Sequence, residues 1–254
     1  MSFFGLRLGR LEINLLRVNT SSPSLCGAGE GGINSTAKCM ALKITLALCT
    51  NRGVKAKTVA SLLDLVARTK NVDFHILVAS KGYTISENRN YCVVQAQKNS
   101  SNYLFFVDDD MTFPPDTLER LMSHKKGVVG VNSYSRCLPS SSTVGLLDKN
   151  GEYLRPEHHT PWERRIPKSL FECYFVGAGV CLIDMDVFNK IKKPYFEFIT
   201  YKKGEFVGMI KVGEDGSFCE KVRAAGEKIW CDGSIEIGHL GDMEYKKEED
   251  VNTI

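Results

Sequence analysis

The sequence predicts an α/β protein with a mostly parallel central sheet and helices on both of its faces. From residue 40 onward, short apolar runs alternate with segments whose apolar residues recur at helical spacing. The runs, such as YLFFV at 103–107, are apolar throughout, which is typical of strands buried on both faces of a sheet. Strands that alternate with helices in this way form parallel sheets through helical crossovers.

The first half of this pattern contains four strands and three helices. Apolar runs predict strands at 42–50, 73–79, 103–107 and 127–131. Helical spacing predicts helices at 55–68 and at 86–98 with Ser86 as N-cap, and two prolines open a third helix at 114–124. Each of the first three strands is thus followed by a helix, as the crossovers of a parallel sheet require.

Residues 133–170 break the pattern, because they are polar and proline-rich with at most a small hairpin around Lys149, Asn150 and Gly151. A loop of this length in a compact domain is usually a lid or a binding loop. It is either a solvated loop, or a lid over a ligand or a surface for an anionic acceptor such as DNA phosphate. The residues that favour a function lie in its second half and are Arg155, His158, His159, Trp162, Arg164, Arg165 and Lys168.

Apolar patterning resumes at 171–183 and continues with helices at 186–191 and 214–225 and a strand at 228–232. At the other end of the chain, the first forty residues differ from the rest, and the segment SSPSLCGAGEGGINSTAK at 21–38 is rich in glycine and serine and has no hydrophobic period. We therefore expect a flexible N-terminal extension over 1–39 and a single folded domain over 40–254, with 133–170 as its acceptor-side loop.

Composition excludes several classes of protein. With 43% hydrophobic and 25% charged residues, the 254-residue chain is neither largely disordered nor collagen-like. The net charge of +3 does not indicate a nucleic-acid or membrane protein, and no apolar run reaches the roughly 18–20 residues that span a bilayer, so we expect no stable membrane insertion. Nine scattered cysteines without a C-x-x-C pair favour reduced, structural thiols and a cytoplasmic location.

Three successive aspartates, Asp108, Asp109 and Asp110, follow the predicted strand at 103–107. They stand at the carboxyl end of a strand, where ligands bind in open parallel sheets. An acidic turn or a helix cap is one interpretation of such a triplet. Because adjacent carboxylates repel and Mg²⁺ or Mn²⁺ prefers oxygen ligands together with substrate phosphates, a divalent-cation site with a phosphorylated substrate is the other.

Two further features could complete such a site. Glu214 and Asp215 open the predicted helix at 214–225, where acids can also be simple partners of the helix dipole. His239 stands between glycines just beyond a predicted strand, as a structural residue or as a ligand of a metal already held by carboxylates.

In this order, the motifs resemble those of the GT-A glycosyltransferases, in particular the family 2-like group. ALCTNRG resembles the nucleotide loop after the first strand, SENRNYCVVQA resembles the family's RN-containing helix, and VDDDM resembles the DxD motif. FVGAGVCLI resembles the strand that lines the sugar pocket, and GEDGSFCEKVRAAG resembles the acidic motif that supplies a base. The resemblance covers about residues 40–242 and is strongest to small enzymes of bacteriophages and bacteria, some of which act on modified DNA bases.

The resemblance implies a hexosyl transfer from a nucleotide-diphosphate sugar to an acceptor hydroxyl, with Mn²⁺ or Mg²⁺ as cofactor. It implies metal ligation by Asp108, Asp110 and His239, with Asp108 contacting either the ribose or the metal through water. It implies Asp215 as the base, with Glu214 second, and inversion unless Asp215 lies off the line of attack. The implied donor-binding residues are Thr50, Asn51, Arg52, Arg89, Asp108, Asp109, Gly177, Ala178 and Gly179.

Some questions stay open in the sequence. Arg89 either approaches the donor diphosphate or base, or is an exposed helix arginine. Many family members carry an Asp at the end of the second strand for the nucleobase, whereas this chain has VASKGYT there. The donor therefore stays open, and the acceptor can be modified DNA such as a hydroxymethylated base, a glycan or a protein. A nucleotidyltransferase acting on a sugar phosphate and an inactive sugar-nucleotide-binding protein are the alternatives.

Overall fold

The structure is a computed structural model that describes residues 14–19, 41–80, 84–136, 140–154, 166–205, 207–241 and 244–245. The strands are β1 (Asn14–Asn19), β2 (Leu42–Thr50), β3 (Val72–Ser80), β4 (Tyr103–Asp108), β5 (Met111–Thr112), β6 (Val128–Val131), β7 (Leu146–Leu147), β8 (Tyr153–Leu154), β9 (Leu170–Cys173), β10 (Val180–Asp184), β11 (Ile199–Thr200), β12 (Ile210–Val212), β13 (Ile229–Asp232), β14 (Gly238–Leu240) and β15 (Glu244–Tyr245). The helices are α1 (Ala56–Arg68), α2 (Ile85–Lys98), α3 (Thr117–Ser123), α4 (Val187–Lys190) and α5 (Glu214–Ala224).

An eight-stranded sheet forms the centre of the fold, in the order β1-β3-β2-β4-β10-β6-β13-β9. β2 pairs in parallel with both β3 and β4, and β6 pairs in parallel with β13. β1, β10 and β9 run against these five strands, because each of their pairings in the sheet is antiparallel. The predicted α/β class with a mostly parallel sheet is therefore confirmed.

Two hydrophobic cores lie on opposite faces of this sheet. Successive side chains of a strand point to opposite faces, so Leu46 and Leu48 of β2 enter one core while Ala47 and Cys49 enter the other. Helix α1 contributes Leu65 to the first core. Helix α2 packs on the second face, and this brings its N-terminal half towards the carboxyl ends of β2 and β4.

Helix α2 begins earlier than the sequence predicts, and its N-cap is Thr84 and not Ser86. The Thr84 hydroxyl accepts a hydrogen bond from the Glu87 N–H at 3.3 Å, and the Glu87 carboxylate accepts one from the Thr84 N–H at 2.8 Å. This reciprocal capping box satisfies two backbone donors. A serine two positions further on lacks the glutamate partner three residues ahead of it.

The prediction that residues 1–39 are flexible throughout is wrong, because residues 14–19 form β1 at the edge of the central sheet. β1 pairs antiparallel with β3, from Asn14 opposite Val78 to Asn19 opposite Asp73. An edge strand exposes unpaired backbone groups, and β1 satisfies those of β3. The rest of 1–39 lies outside the described residues, so its predicted flexibility and the domain boundary at residue 40 stay predictions.

The second half confirms the small hairpin, as β7 and β8 pair across Lys149, Asn150 and Gly151. Of the basic and aromatic residues named in the loop 133–170, only Lys168 belongs to the described residues; the others fall within 155–165, outside them.

Six cysteines of the described part are free and buried, as expected for structural thiols: Cys49, Cys92, Cys173, Cys181, Cys219 and Cys231. Within the described ranges, no helix has the length and apolarity that crossing a membrane needs.

Candidate active site

The carboxyl ends of β2 and β4 lie side by side at one edge of the sheet. Their parallel pairing sets Cys49 opposite Asp108, so Thr50 and the first of the three aspartates are neighbours. The Asp108 N–H donates a hydrogen bond of 2.8 Å to the Gly179 carbonyl, which precedes β10. A β-carbon on Gly179 would lie 3.2 Å from Asp108 Oδ2, so the glycine leaves room for this carboxylate.

A buried arginine joins the acids of two distant segments. Arg89, from the first half of α2, donates from Nη2 to Asp108 Oδ1 at 3.2 Å. Its Nη1 forms an ion pair with Glu214 Oε1 at 2.8 Å and lies 3.9 Å from Asp215 Oδ2. The first aspartate of the triplet and the acidic pair of α5 therefore converge on one guanidinium. Asp108 and Glu214 are 106 positions apart in the sequence, and the fold brings them together.

The surroundings of Arg89 are apolar on one side and acidic on the other. Its side chain is 3% exposed, and the guanidinium carbon lies 6.0 Å from the Phe106 ring centre and 5.9 Å from that of Phe196. Burial works against the charge of Arg89, but the three carboxylates outweigh it and raise its pKa, so it stays a cation. The alternative of an exposed helix arginine is wrong, and its contact with a donor stays a prediction.

Glu214 and Asp215 differ although they are adjacent. Both lie in the first turn of α5, after the N-cap Gly213, where carboxylates also interact favourably with the helix dipole. The Glu214 side chain is 11% exposed, and its burial raises its pKa in spite of Arg89. The Asp215 side chain is 33% exposed and faces Gly177, whose missing β-carbon would stand 3.7 Å from Asp215 Oδ2.

Asp110 and His239 form a second charged cluster beside the first. β5 and β14 pair antiparallel, with Met111 opposite His239, and the Leu240 N–H donates to the Asp110 carbonyl at 2.7 Å. This places His239 Nε2 3.2 Å from Asp110 Oδ1. Arg136 Nη1 donates to the other carboxylate oxygen, Oδ2, at 2.7 Å. The sequence-predicted aspartate and histidine therefore meet in space, and His239 lies within a strand and not beyond one.

The hydrogen bonds of His239 define which nitrogen faces Asp110. Its Nδ1 lies 2.6 Å from the Tyr134 carbonyl oxygen, which can only accept, so Nδ1 carries a proton. Burial lowers the tendency of His239 to protonate, but the hydrogen bonds to Asp110 and Tyr134 outweigh it and raise its pKa. In the same way, burial raises the pKa of Asp110, but His239 and Arg136 reverse this and lower it.

These two side chains fit a divalent cation. A histidine that donates from Nδ1 to a carbonyl presents Nε2 as a lone pair once it is neutral, which is the usual arrangement of metal-bound imidazoles. Asp110 supplies a carboxylate that is already ionised. Asp108 is held by Arg89 instead, and among the residues described here no three His, Cys, Asp or Glu side chains are spaced as one metal site. Of the three metal ligands that the resemblance implies, Asp110 and His239 therefore lie together, whereas Asp108 pairs with Arg89.

The predicted nucleotide loop is held by hydrogen bonds at the end of β2. The Thr50 hydroxyl accepts from the N–H groups of Arg52 and Gly53 and also bonds to the Asp109 carboxylate. Burial is the main reason that the pKa of Asp109 is raised. Asn51 accepts from Asn88 of α2 at 3.4 Å, so the loop and the RN segment of the helix are in contact.

Three residues of the site carry no motif that sequence reasoning could use. Arg136 and Tyr134 belong to an irregular segment whose contacts depend on the path of the chain. Lys55 donates from Nζ to the carbonyls of Leu240 and Gly241 at 2.8 and 3.0 Å, and thereby ties the nucleotide loop to the strand of His239.

Comparisons with known proteins agree with this architecture. A197 from STIV superposes with a TM-score of 0.54 at 16% identity, over 84% of this chain and 98% of that one. GalNAc-T7, solved with UDP, GalNAc and Mn²⁺, superposes with a TM-score of 0.50 at 12% identity, over 82% of this chain and 44% of that one. Such identities show a common fold alone. No curated protein matches the sequence.

The central sheet with helices on both faces is that of the GT-A architecture. The family profile described as Glycosyl transferase family 2 matches residues 47–191, more than half of the chain. The chain belongs to this family. The matched region includes the nucleotide loop, the RN helix, the aspartate triplet and the glycine-rich segment 177–179, whereas α5 and His239 lie beyond it.

Proposed function

We propose that this protein is a metal-dependent, inverting hexosyltransferase that moves a sugar from a nucleotide-diphosphate donor to an acceptor hydroxyl in the cytoplasm. The observation that carries the proposal is the convergence on Arg89 of Asp108, from the triplet, with Glu214 and Asp215, from α5. A transferase must hold its donor and its base at a fixed separation. A buried cation between the two acidic segments provides this, since each carboxylate would otherwise repel the others.

Asp215 is the base in this proposal. An acceptor hydroxyl must lose its proton as it attacks the anomeric carbon, so the base has to reach the acceptor. Asp215 is one-third exposed, whereas Glu214 is nearly buried and held against Arg89 at 2.8 Å. The Gly216 N–H donates to Asp215 Oδ1 at 3.0 Å, which leaves Oδ2 for an acceptor. Glu214 then positions Arg89.

Asp110 and His239 would hold the metal, with Asp108 as the third candidate ligand or the contact to the donor ribose. Mn²⁺ or Mg²⁺ at this position would supply positive charge to the departing diphosphate. Thr50, Asn51, Arg52 and Asp109 would line the nucleotide from the loop after β2. The segment 177–179 would line the sugar, since the missing β-carbons of Gly177 and Gly179 let its backbone lie close to Asp215 and Asp108. GalNAc-T7, with which this chain shares the fold, was solved with UDP and Mn²⁺, so these are suitable first probes.

Thermal unfolding with UDP, GDP or ADP, each with and without Mn²⁺, tests donor binding. A ligand that binds only the folded state raises the melting temperature, and we expect one nucleotide to do so only when the metal is present. Asp110→Ala should abolish this metal-dependent rise, while Asp64→Ala on the exposed side of α1 should retain it. A rise of equal size in Asp110→Ala would refute the metal assignment.

Transfer itself is tested by mass spectrometry of acceptors after incubation with a panel of nucleotide sugars, including hydroxymethylated DNA, glycans and proteins. Asp215→Asn should keep the melting shift with the donor nucleotide but lose about 100-fold or more of the transfer rate. Full activity in this variant would disprove its role as base. Donor binding without transfer to any acceptor would favour the inactive binding protein instead.

A further inference from the structure

The hairpin of β11 and β12 carries an exposed apolar tip that the proposed transferase site does not use. Val207 is 62% exposed, Met209 56%, Ile210 58% and Tyr201 42%. Elsewhere in the described residues, large hydrophobic side chains with this exposure occur only at Val59 and Leu63 of α1. Apolar side chains gathered in this way on a surface usually mark an interaction site.

The tip of the hairpin is an ordered turn held by backbone hydrogen bonds. The Tyr201 N–H donates to the Met209 carbonyl at 3.0 Å, and the Gly208 N–H donates back to the Tyr201 carbonyl at 3.0 Å. Gly204 and Gly208 adopt positive φ of 86° and 81°, which glycine tolerates at no steric cost. The exposed side chains are therefore presented by a backbone with its own hydrogen bonds.

The charge of the tip indicates its partner. Lys202, Lys203 and Lys211 are exposed beside the apolar residues, against a single exposed acid, Glu205. Long lysine side chains can lay their methylene groups along an apolar surface and keep the ammonium among anionic groups. A surface that is apolar at depth and anionic at its boundary satisfies both kinds of residue, and an anionic lipid bilayer is such a surface.

Other occupants fit less well. Stable homodimers bury at least about 1,200 Å² in total, and two tips facing each other across a two-fold axis would bring their lysines together. Nucleic acid would pair with the lysines, but its binding depends on phosphate contacts and on aromatic stacking and leaves exposed Val207, Met209 and Ile210 without a partner.

We propose that the β11–β12 hairpin docks this protein on anionic membrane surfaces, with Val207, Met209 and Ile210 entering the lipid boundary and Lys202, Lys203 and Lys211 contacting the headgroups. This is attachment to one leaflet and not insertion across the bilayer. Because β12 leads through Gly213 into α5, Glu214 follows Met209 by five positions, a span of at most about 18 Å. Docking would therefore hold the acids of α5 close to the membrane.

The test is flotation of the purified full chain with vesicles of phosphatidylcholine alone or with about 30% phosphatidylglycerol. We expect binding to the anionic vesicles that weakens with salt. Met209→Ser with Ile210→Ser should weaken it about tenfold, whereas the matched control, Val59→Ser with Leu63→Ser on α1, should not. Lys202→Gln with Lys203→Gln should also reduce it about tenfold and weaken the preference for anionic lipid, which Lys211 alone would then support.

All of these positions are exposed, so unfolding temperatures close to wild type are expected and would show that the variants fold. Absence of vesicle binding by the wild type would overturn the proposal, as would equal binding by the tip variant. Loss of DNA affinity in the tip variant, with vesicle binding unchanged, would assign the hairpin to nucleic acid instead. None of these readouts depends on nucleotide binding or transfer, so the docking surface and the proposed function fail separately.

Discussion

Two charged clusters lie at the same edge of the sheet and are built in opposite ways. In the first, one buried guanidinium, that of Arg89, faces three carboxylates. In the second, one buried carboxylate, that of Asp110, faces an imidazole and the guanidinium of Arg136, which is 51% exposed. In the first cluster, the loss of a charged group would leave a buried charge without its partner. In the second, a proton on His239 and a half-exposed arginine can both be displaced by a cation.

The difference suggests a division of roles. The Arg89 cluster joins the triplet to α5, and its positive charge should respond little to ligand or pH, because Arg89 stays charged. The Asp110 cluster should respond to both, because its positive charges compete with any metal. The predictions below test this division, beginning with the largest effect.

Arg89→Met should be the most damaging single change. It removes the only cation near Asp108, Glu214 and Asp215 that the described residues provide, and breaking a buried ion pair costs about 3–5 kcal/mol of the free energy of unfolding. Urea denaturation measures this. Arg68→Met is the matched control, since that arginine is 54% exposed and pairs with Glu119 alone among the described residues, and its loss should cost about 0–1 kcal/mol. Equal costs for the two variants would show that Arg89 is not a structural centre.

His239→Gln should reveal the titrating character of the second cluster. The pKa of His239 is raised above its usual 6.5, so its ion pair with Asp110 stabilises the metal-free fold below that value, and this contribution is lost as pH rises through the raised pKa. The melting temperature of the wild type should therefore exceed that of the variant in mildly acidic buffer, and the gap should close in alkaline buffer.

The response to Mn²⁺ should have the opposite pH dependence. A metal needs the unprotonated Nε2 of His239, so the stabilisation of the wild type by Mn²⁺ should grow as pH rises. In His239→Gln it should be small at every pH. A constant gap between the two proteins without metal, or a Mn²⁺ effect that falls with rising pH, would contradict the assignment of this pair.

The sequence predicts much of the first cluster, because its residues follow local patterns. Apolar strands and helical spacing place Asp108 at a strand end, and Glu214 and Asp215 at a helix start, and elements of an α/β sheet bring such ends together. The family resemblance adds Arg89 but not its burial, which depends on Phe106 and Phe196 packing beside it. The cap of α2 was readable in principle, since Thr84 stands three residues before Glu87.

The second cluster was predictable only in part. The resemblance pairs Asp110 with His239, but Tyr134 and Arg136 lie in a segment without periodicity, and nothing in their sequence indicates which side chain they meet. β1 was missed for a related reason. Its six residues, NLLRVN, stand just before a glycine- and serine-rich stretch and show no clear alternation of apolar and polar residues, and they form a strand because the edge of β3 offers them hydrogen bonds.

Arg136→Met should give the smallest and most informative effect. Because this arginine is half exposed, losing its 2.7 Å ion pair with Asp110 should cost less than about 1 kcal/mol of stability. The same loss frees Asp110 Oδ2, so the variant should bind Mn²⁺ up to about fivefold more tightly in a calorimetric titration, which is the equivalent of that energy. Arg120→Met, which removes a partner of Asp232 instead, serves as control and should leave Mn²⁺ affinity unchanged. Weaker Mn²⁺ binding in Arg136→Met would mean that the arginine orients Asp110 for the metal. It would contradict the hypothesis that the metal displaces the positive charges around Asp110.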